Sequence, residues 1–67
     1  MRFFVNGEEH NFKHSTLCCE ELLEQMGVSK DGLIAEIDGK VFTVTQFKEA
    51  LIKEGSKIEL IRMMGGG

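Results

Sequence analysis

The chain has 67 residues, of which 42% are apolar and 28% charged, with no Trp, Tyr or Pro. A chain of this size buries only about 60% of its unfolded surface, which leaves room for one sheet and one or two helices but not for an enzyme cleft with its own cofactor. Eight basic against eleven acidic residues give a net charge of −3, without the basic stripe that nucleic-acid binding requires. Apolar runs such as 3–5 reach three residues, far short of a membrane span. No leader-like segment precedes the first strand pattern, so the expected location is the cytoplasm, with no nucleic acid and no membrane as partner. Cys18 and Cys19 are adjacent and poorly placed to staple a fold, so they read as reduced thiols.

In chain order, Arg2–Val5 is a Phe- and Val-rich strand with Phe3 and Val5 on one face and Phe4 on the other. Asn6-Gly7 follows as a two-residue hairpin signal, and 9–13 returns as a second strand anchored by Phe12. The period then changes. Cys19, Leu22, Leu23 and Met26 recur at i, i+3, i+4 and i+7, with Glu20, Glu21, Glu24 and Gln25 opposite, the pattern of an amphipathic helix. Thr16 is the better capping residue by chemistry, whereas Cys18 as N-cap places Glu21 at N3 and pairs Leu17 with Leu22 as a staple. Gly27 is the expected left-handed residue after the helix, with Val28 folding back on its end.

Leu33–Ile37 and 40–44 flank Asp38-Gly39, a second hairpin signal. That register sets Ile37 opposite Lys40 and Ala35 opposite Phe42, with Leu33, Ala35, Ile37 and Phe42 inward and Ile34, Glu36 and Val41 outward. Thr45 is expected to cap a short second helical stretch through about Ile52, with Phe47 and Leu51 as its apolar pair. Glu54-Gly55-Ser56 then turns into a last strand, 57–63, with Ile58 and Leu60 inward. This order allows the first and last strands to lie parallel, with the helix across one face of a mixed sheet. The predicted fold is α+β: a β-grasp, ubiquitin-like arrangement with a four- to five-stranded sheet and one main helix. It divides into a domain, 1–64, and a flexible tail, 65–67.

Gly65, Gly66 and Gly67 close the sequence. A frayed end is the bland account of such residues. Glycine also lets a backbone thread a narrow channel, having no Cβ to clash, and a terminal carboxylate on such a thread is open to activation. On the sheet face away from the helix, Phe4, Ile34, Val41, Ile61 and Met63 point outward and lead, with Met64, towards the tail. Neighbouring apolar residues of this kind mark a binding patch, and Met adapts to more than one partner. His10, His14 and Cys18 have a spacing that would align ligands on a helix, but the segment reads as strand and loop, so no metal is expected. Cys18 at a helix N-terminus is a candidate for a lowered pKa, whereas Cys19 belongs to the apolar stripe.

Several segments together resemble the ThiS sulfur carriers of thiamin thiazole biosynthesis, which are related to the MoaD carriers of molybdopterin biosynthesis. Val5-Asn6-Gly7-Glu8 looks like the opening turn, and Glu21-Leu22-Leu23-Glu24-Gln25-Met26 like the Leu-Leu helix. Residues 35–41 resemble the central hairpin, the spacing of Ile52, Gly55, Ile58 and Glu59 the last turn and strand, and 65–67 the functional tail. Ser56 stands where the family usually has Asp, Phe42-Thr43-Val44 replaces a Val-Pro-Arg type segment, and Cys18-Cys19 replaces Thr-Val at the helix entrance.

The resemblance implies a protein cosubstrate rather than an enzyme. An E1-like adenylyltransferase of the ThiF type would activate the Gly67 carboxylate with ATP, so that ATP is used by the partner and no cofactor is bound here. A persulfide donor such as a cysteine desulfurase would then supply sulfur as a Gly67 thiocarboxylate, and a thiazole synthase of the ThiG type would accept it. Gly65 and Gly66 would thread the active sites, and the carrier would be a monomer when free. The same chemistry serves other acceptors, such as molybdopterin, a tRNA base or an amino acid. A ubiquitin-like modifier joined to lysine through Gly67, or an interaction domain with an inert tail, are the alternatives from other classes.

Overall fold

The computed structural model describes residues 1–13 and 16–63. In chain order the elements are β1 (Arg2–Val5), β2 (Glu8–Asn11), β3 (Leu17–Cys18), α1 (Cys19–Met26), β4 (Leu33–Ile37), β5 (Lys40–Phe42), a 3-10 turn (Val44–Gln46), β6 (Leu51–Ile52) and β7 (Lys57–Arg62). Asn6 and Gly7 have φ of 50° and 84°, and Asp38 and Gly39 have φ of 51° and 87°. Both pairs therefore make the primed turns that suit the twist of a hairpin. The predicted register holds at the second hairpin, with Ala35 opposite Phe42 and Ile37 opposite Lys40.

Five strands form one sheet in the order β2-β1-β7-β4-β5. The last strand is central, parallel to β1 and antiparallel to β4. This is the β-grasp arrangement that the element order predicts. The two turn residues also reach across to β7. Asn6 Oδ1 accepts the Leu60 N–H at 2.8 Å, and Asp38 Oδ1 accepts the Lys57 N–H at 2.9 Å. Each thus shapes its own hairpin and satisfies a β7 amide beyond the paired strands.

Helix α1 starts at the second of the two predicted caps. Cys18 is the N-cap, and Glu21 Oε1 accepts its backbone N–H at 3.1 Å. The other end closes as a Schellman motif. Gly27 has φ of 69° and donates to Glu24 O at 3.2 Å, and Val28 donates to Leu23 O at 3.0 Å. Cys19, Leu22 and Leu23 are buried, in one core with Phe3, Val5, Leu33, Ala35, Ile37 and Ile58 from the sheet. Phe12 packs its ring on Phe3 at 5.3 Å between centroids.

The segment after β5 departs from expectation. No helix spans Thr45 to Ile52. Thr43, not Thr45, caps a single 3-10 turn, with Gln46 Oε1 accepting the Thr43 N–H at 2.9 Å. The chain then extends into β6, which pairs antiparallel with β3 through Leu17 and Ile52. Ala50 and Ile52 are buried, whereas Leu51, expected to be apolar packing, is 55% exposed. The physical reason lies at the start of α1. A helix leaves its first amides without partners, and here Cys19 N–H donates to Ala50 O at 2.8 Å and Glu20 N–H to Phe47 O at 3.2 Å. A helix running to Ile52 would commit the Phe47 carbonyl to the Leu51 N–H and forfeit the pairing of β6 with β3, so tertiary demand overrides local propensity.

Ser56 is buried and fills the place noted above as Asp in the family pattern. Its Oγ accepts the Lys53 N–H at 2.9 Å, and its own N–H donates to Lys53 O at 3.0 Å. A neutral hydroxyl closes this turn without burying a charge.

Candidate functional site

Strand parity places the inward residues of β7 at Ile58 and Leu60, and the outward ones at Lys57, Glu59, Ile61 and then Met63. Cross-strand pairing resolves the outer face into rows. Ile61 lies opposite Ile34, Glu59 opposite Glu36, and Glu36 opposite Val41. Phe4 lies two rows away, opposite Lys57. The predicted patch is therefore divided. Ile34 and Ile61, with Met63 two residues on, form an apolar end at the root of the tail. The Glu36–Glu59 row separates them from Phe4. Direct opposition of like charges disfavours an isolated sheet.

Exposure follows the same division. Ile61 is 51%, Met63 58% and Val41 57% exposed, and Ile34 and Phe4 are half-buried. Phe4 has the Arg2 guanidinium 6.0 Å from its ring centre, and with Gly7, Lys57 and Glu59 it lines a shallow depression of about 200 Å³. The remaining candidates, Met64, Gly65, Gly66 and Gly67, lie outside the described residues.

Beyond Arg62 the ladder continues by one bond, from Met63 N–H to Gly32 O at 2.7 Å. The Arg62 guanidinium donates to Asp31 O at 2.8 Å and to Ser29 O at 3.0 Å. Sequence reasoning named neither Arg62 nor Gly32. The only local sign is the Asp31-Gly32 pair, which marks a loop and nothing about what grips it.

The two thiols do not behave as reactive groups. Burial pushes the Cys19 thiol up to about 11, aided by Cys18 beside it. The Cys18 thiol is also raised, first by burial, with the Glu21 carboxylate adding to the effect against opposing backbone hydrogen bonds. The expected lowering at a helix N-terminus is thus reversed. Both groups stay protonated near neutrality, and the thiolate is the nucleophile. His10 stacks on Phe3 with centroids 5.9 Å apart and rings inclined by 10°. His14 lies outside the described residues. Among the described residues no three His, Cys, Asp or Glu side chains converge as a metal site, and no helix is long and apolar enough to cross a membrane.

The model of the ThiS family matches residues 2–67. The chain belongs to the ThiS family. It is 28% identical over 64 residues to the sulfur carrier protein ThiS of Thermus thermophilus, covering 96% of this chain and 97% of that one. It is 30% identical over 67 residues to a thiazole synthase of Paramagnetospirillum magneticum, but spans only 20% of that protein's length. The crystal structure of a thiamine biosynthesis protein (ThiS) from Geobacter metallireducens superimposes with a TM-score of 0.86 at 29% identity, with both chains covered completely. The ThiS-family match runs through residue 67.

Proposed function

We propose that this chain is the sulfur carrier for thiazole formation in thiamine biosynthesis, and that Gly67 carries the sulfur. The observation that carries this reading is the family match running through Gly67. The chemistry asks little of the domain beyond presentation. A carboxylate is a poor electrophile until one oxygen becomes part of a good leaving group. In an E1-like adenylyltransferase of the ThiF type, the Gly67 carboxylate attacks the α-phosphorus of ATP, releasing pyrophosphate and forming an acyl adenylate. The outer sulfur of a persulfide, from a donor such as a cysteine desulfurase, displaces AMP. A thiol then attacks the donor sulfur of the resulting S–S bond, forming a disulfide with it and releasing the thiocarboxylate. Gly65 and Gly66 supply a thread without side chains for the enzyme's channel.

The acceptor in this reading is a thiazole synthase of the ThiG type. Similarity to one fifth of a protein named thiazole synthase favours that acceptor over the others. Ile34, Ile61 and Met63 serve as the docking end of the sheet, with Val41 and Phe4 at its margins. The chain acts as a protein cosubstrate and binds no cofactor, with ATP belonging to the adenylyltransferase. The test is intact-mass analysis after incubation with ATP, the cognate adenylyltransferase and a persulfide donor. A single oxygen-for-sulfur exchange located at Gly67 is expected. Lysine conjugates instead would make the protein a modifier, and an unchanged mass would make the tail inert.

A further inference from the structure

The end of β7 is held by contacts to the loop before β4 as well as by strand pairing. Arg62 is the last residue of β7, paired with Leu33 at the start of β4. Its guanidinium bridges two carbonyls of one loop, those of Ser29 and Asp31. Such a planar fork fixes direction as well as distance. The loop is shaped to offer those carbonyls. Ser29 Oγ accepts the Asp31 N–H at 3.2 Å, Leu33 N–H donates to Lys30 O at 3.1 Å, and Gly32 sits at φ +66°. Lys30 in turn reaches Glu20 on α1 at 2.6 Å, tying the loop to the helix.

Gly32 completes the grip from the other side. Its carbonyl takes the Met63 N–H at 2.7 Å, and a Cβ added there would stand 3.2 Å from Met63 O. Met63 therefore leaves the sheet along a path set by residues 29–32 and by Arg62. From Met63 onward, four residues give a reach of about 14 Å when extended.

We propose that Arg62 and Gly32 form a clamp that sets the direction in which the tail leaves the domain, making Arg62 a positioning residue for activation of Gly67. The proposal rests on the carrier reading. The outer face sets how tightly the domain docks, whereas the clamp sets how much chain remains to be ordered once it has docked. Freeing one more backbone residue lowers the population of the productive geometry by roughly tenfold.

The experiment is steady-state adenylation by the cognate adenylyltransferase, with the full chain as the varied substrate, for wild type, Arg62→Gln, Arg62→Lys and Gly32→Ala. Gln keeps much of the stem but loses the fork, and Lys keeps the charge but cannot bridge two carbonyls in the same geometry. The expected result for Arg62→Gln is a kcat lowered by about tenfold with KM unchanged within about twofold. Arg62→Lys stays impaired, and Gly32→Ala moves in the same direction. Hydrogen exchange of the Met63 amide is protected in the wild type and loses protection in Arg62→Gln. A raised KM at constant kcat would mean that the partner reads Arg62 directly, and would overturn the clamp. So would full rescue by Lys, or unchanged kcat in Arg62→Gln. A wild type that is never adenylated overturns the carrier reading instead; the clamp then stands or falls on Met63 exchange, and equal protection in wild type and Arg62→Gln overturns it.

Discussion

The two faces of β7 place the same kind of residue in opposite settings. Inward, Ile58 is 1% exposed in the middle of the sheet, between β1 and β4. Outward, Ile61 sits on the same strand, three residues on, with half of its surface in solvent. One strand thus serves as the spine of the core and carries an exposed apolar end. The contrast shows that burial and exposure are separated by strand parity rather than by distance along the chain.

Substitutions along β7 break that contrast in a graded way. Ile58→Asp has the largest effect, because it removes a buried side chain and places an unpaired charge in the core of a small domain. A loss of about 4 kcal/mol or more is expected, read as disappearance of a cooperative urea transition by circular dichroism. Leu60→Asp comes next. Leu60 is half-buried and packs on the core from the end of the helix-covered face, so a loss of about 2–3 kcal/mol is expected in the same measurement. A Leu60 effect exceeding that of Ile58 would place the centre of the core at the wrong end of the strand.

The helix side of the same core adds a pH dependence. The Cys19 thiol is raised from 9.0 to about 11 in the folded chain, so the folded state holds its proton where the unfolded chain releases it. The contribution is fully present below pH 9.0 and is lost as pH rises from there towards about 11. Urea midpoints should fall over that window in the wild type and fall less in Cys19→Ala. Equal slopes would show that burial of this thiol is not what resists ionisation.

Ile61→Asp has the smallest effect on the fold, within about 0.5 kcal/mol, and its effect appears in binding. The dissociation constant for the adenylyltransferase, measured by calorimetry, should rise by about tenfold or more. If Ile61→Asp destabilises as much as Ile58→Asp, the division of β7 into two faces is wrong.

Much of this arrangement was legible in the residues. Asn6-Gly7 and Asp38-Gly39 carry the turn, the register and hence the parity of four strands. The stripe of Cys19, Leu22, Leu23 and Met26 gives the helix, and Gly27 its end. These signals are local, so they survive without knowledge of the rest of the molecule. The path from Thr43 to Ile52 was not legible, because it is decided by the partners that the Cys19 and Glu20 amides take, far away in sequence. The raised thiol of Cys18 reflects burial and Glu21, which outweigh the helix terminus. The grip of Arg62 on Ser29 and Asp31 has no pattern in either segment. The outer apolar set was legible residue by residue, but its division by Glu36 and Glu59 required the register of three strands.

The central claim is that function resides in the Gly67 carboxylate and in the glycines that deliver it. ATP–pyrophosphate exchange with the cognate adenylyltransferase, read beside thiocarboxylate mass, tests it on deletion of Gly67 and on Gly66→Val. Deletion draws the terminus back by about 3.5 Å, and a misplacement of ~1 Å in a reacting group already costs on the order of a hundredfold. Val stiffens the thread and adds a branched side chain where the channel expects none. Both variants should keep the wild-type thermal midpoint and lose exchange and thiocarboxylate together. Wild-type exchange and thiocarboxylate yield from both would contradict the account, and the glycines would be no more than an end of the chain.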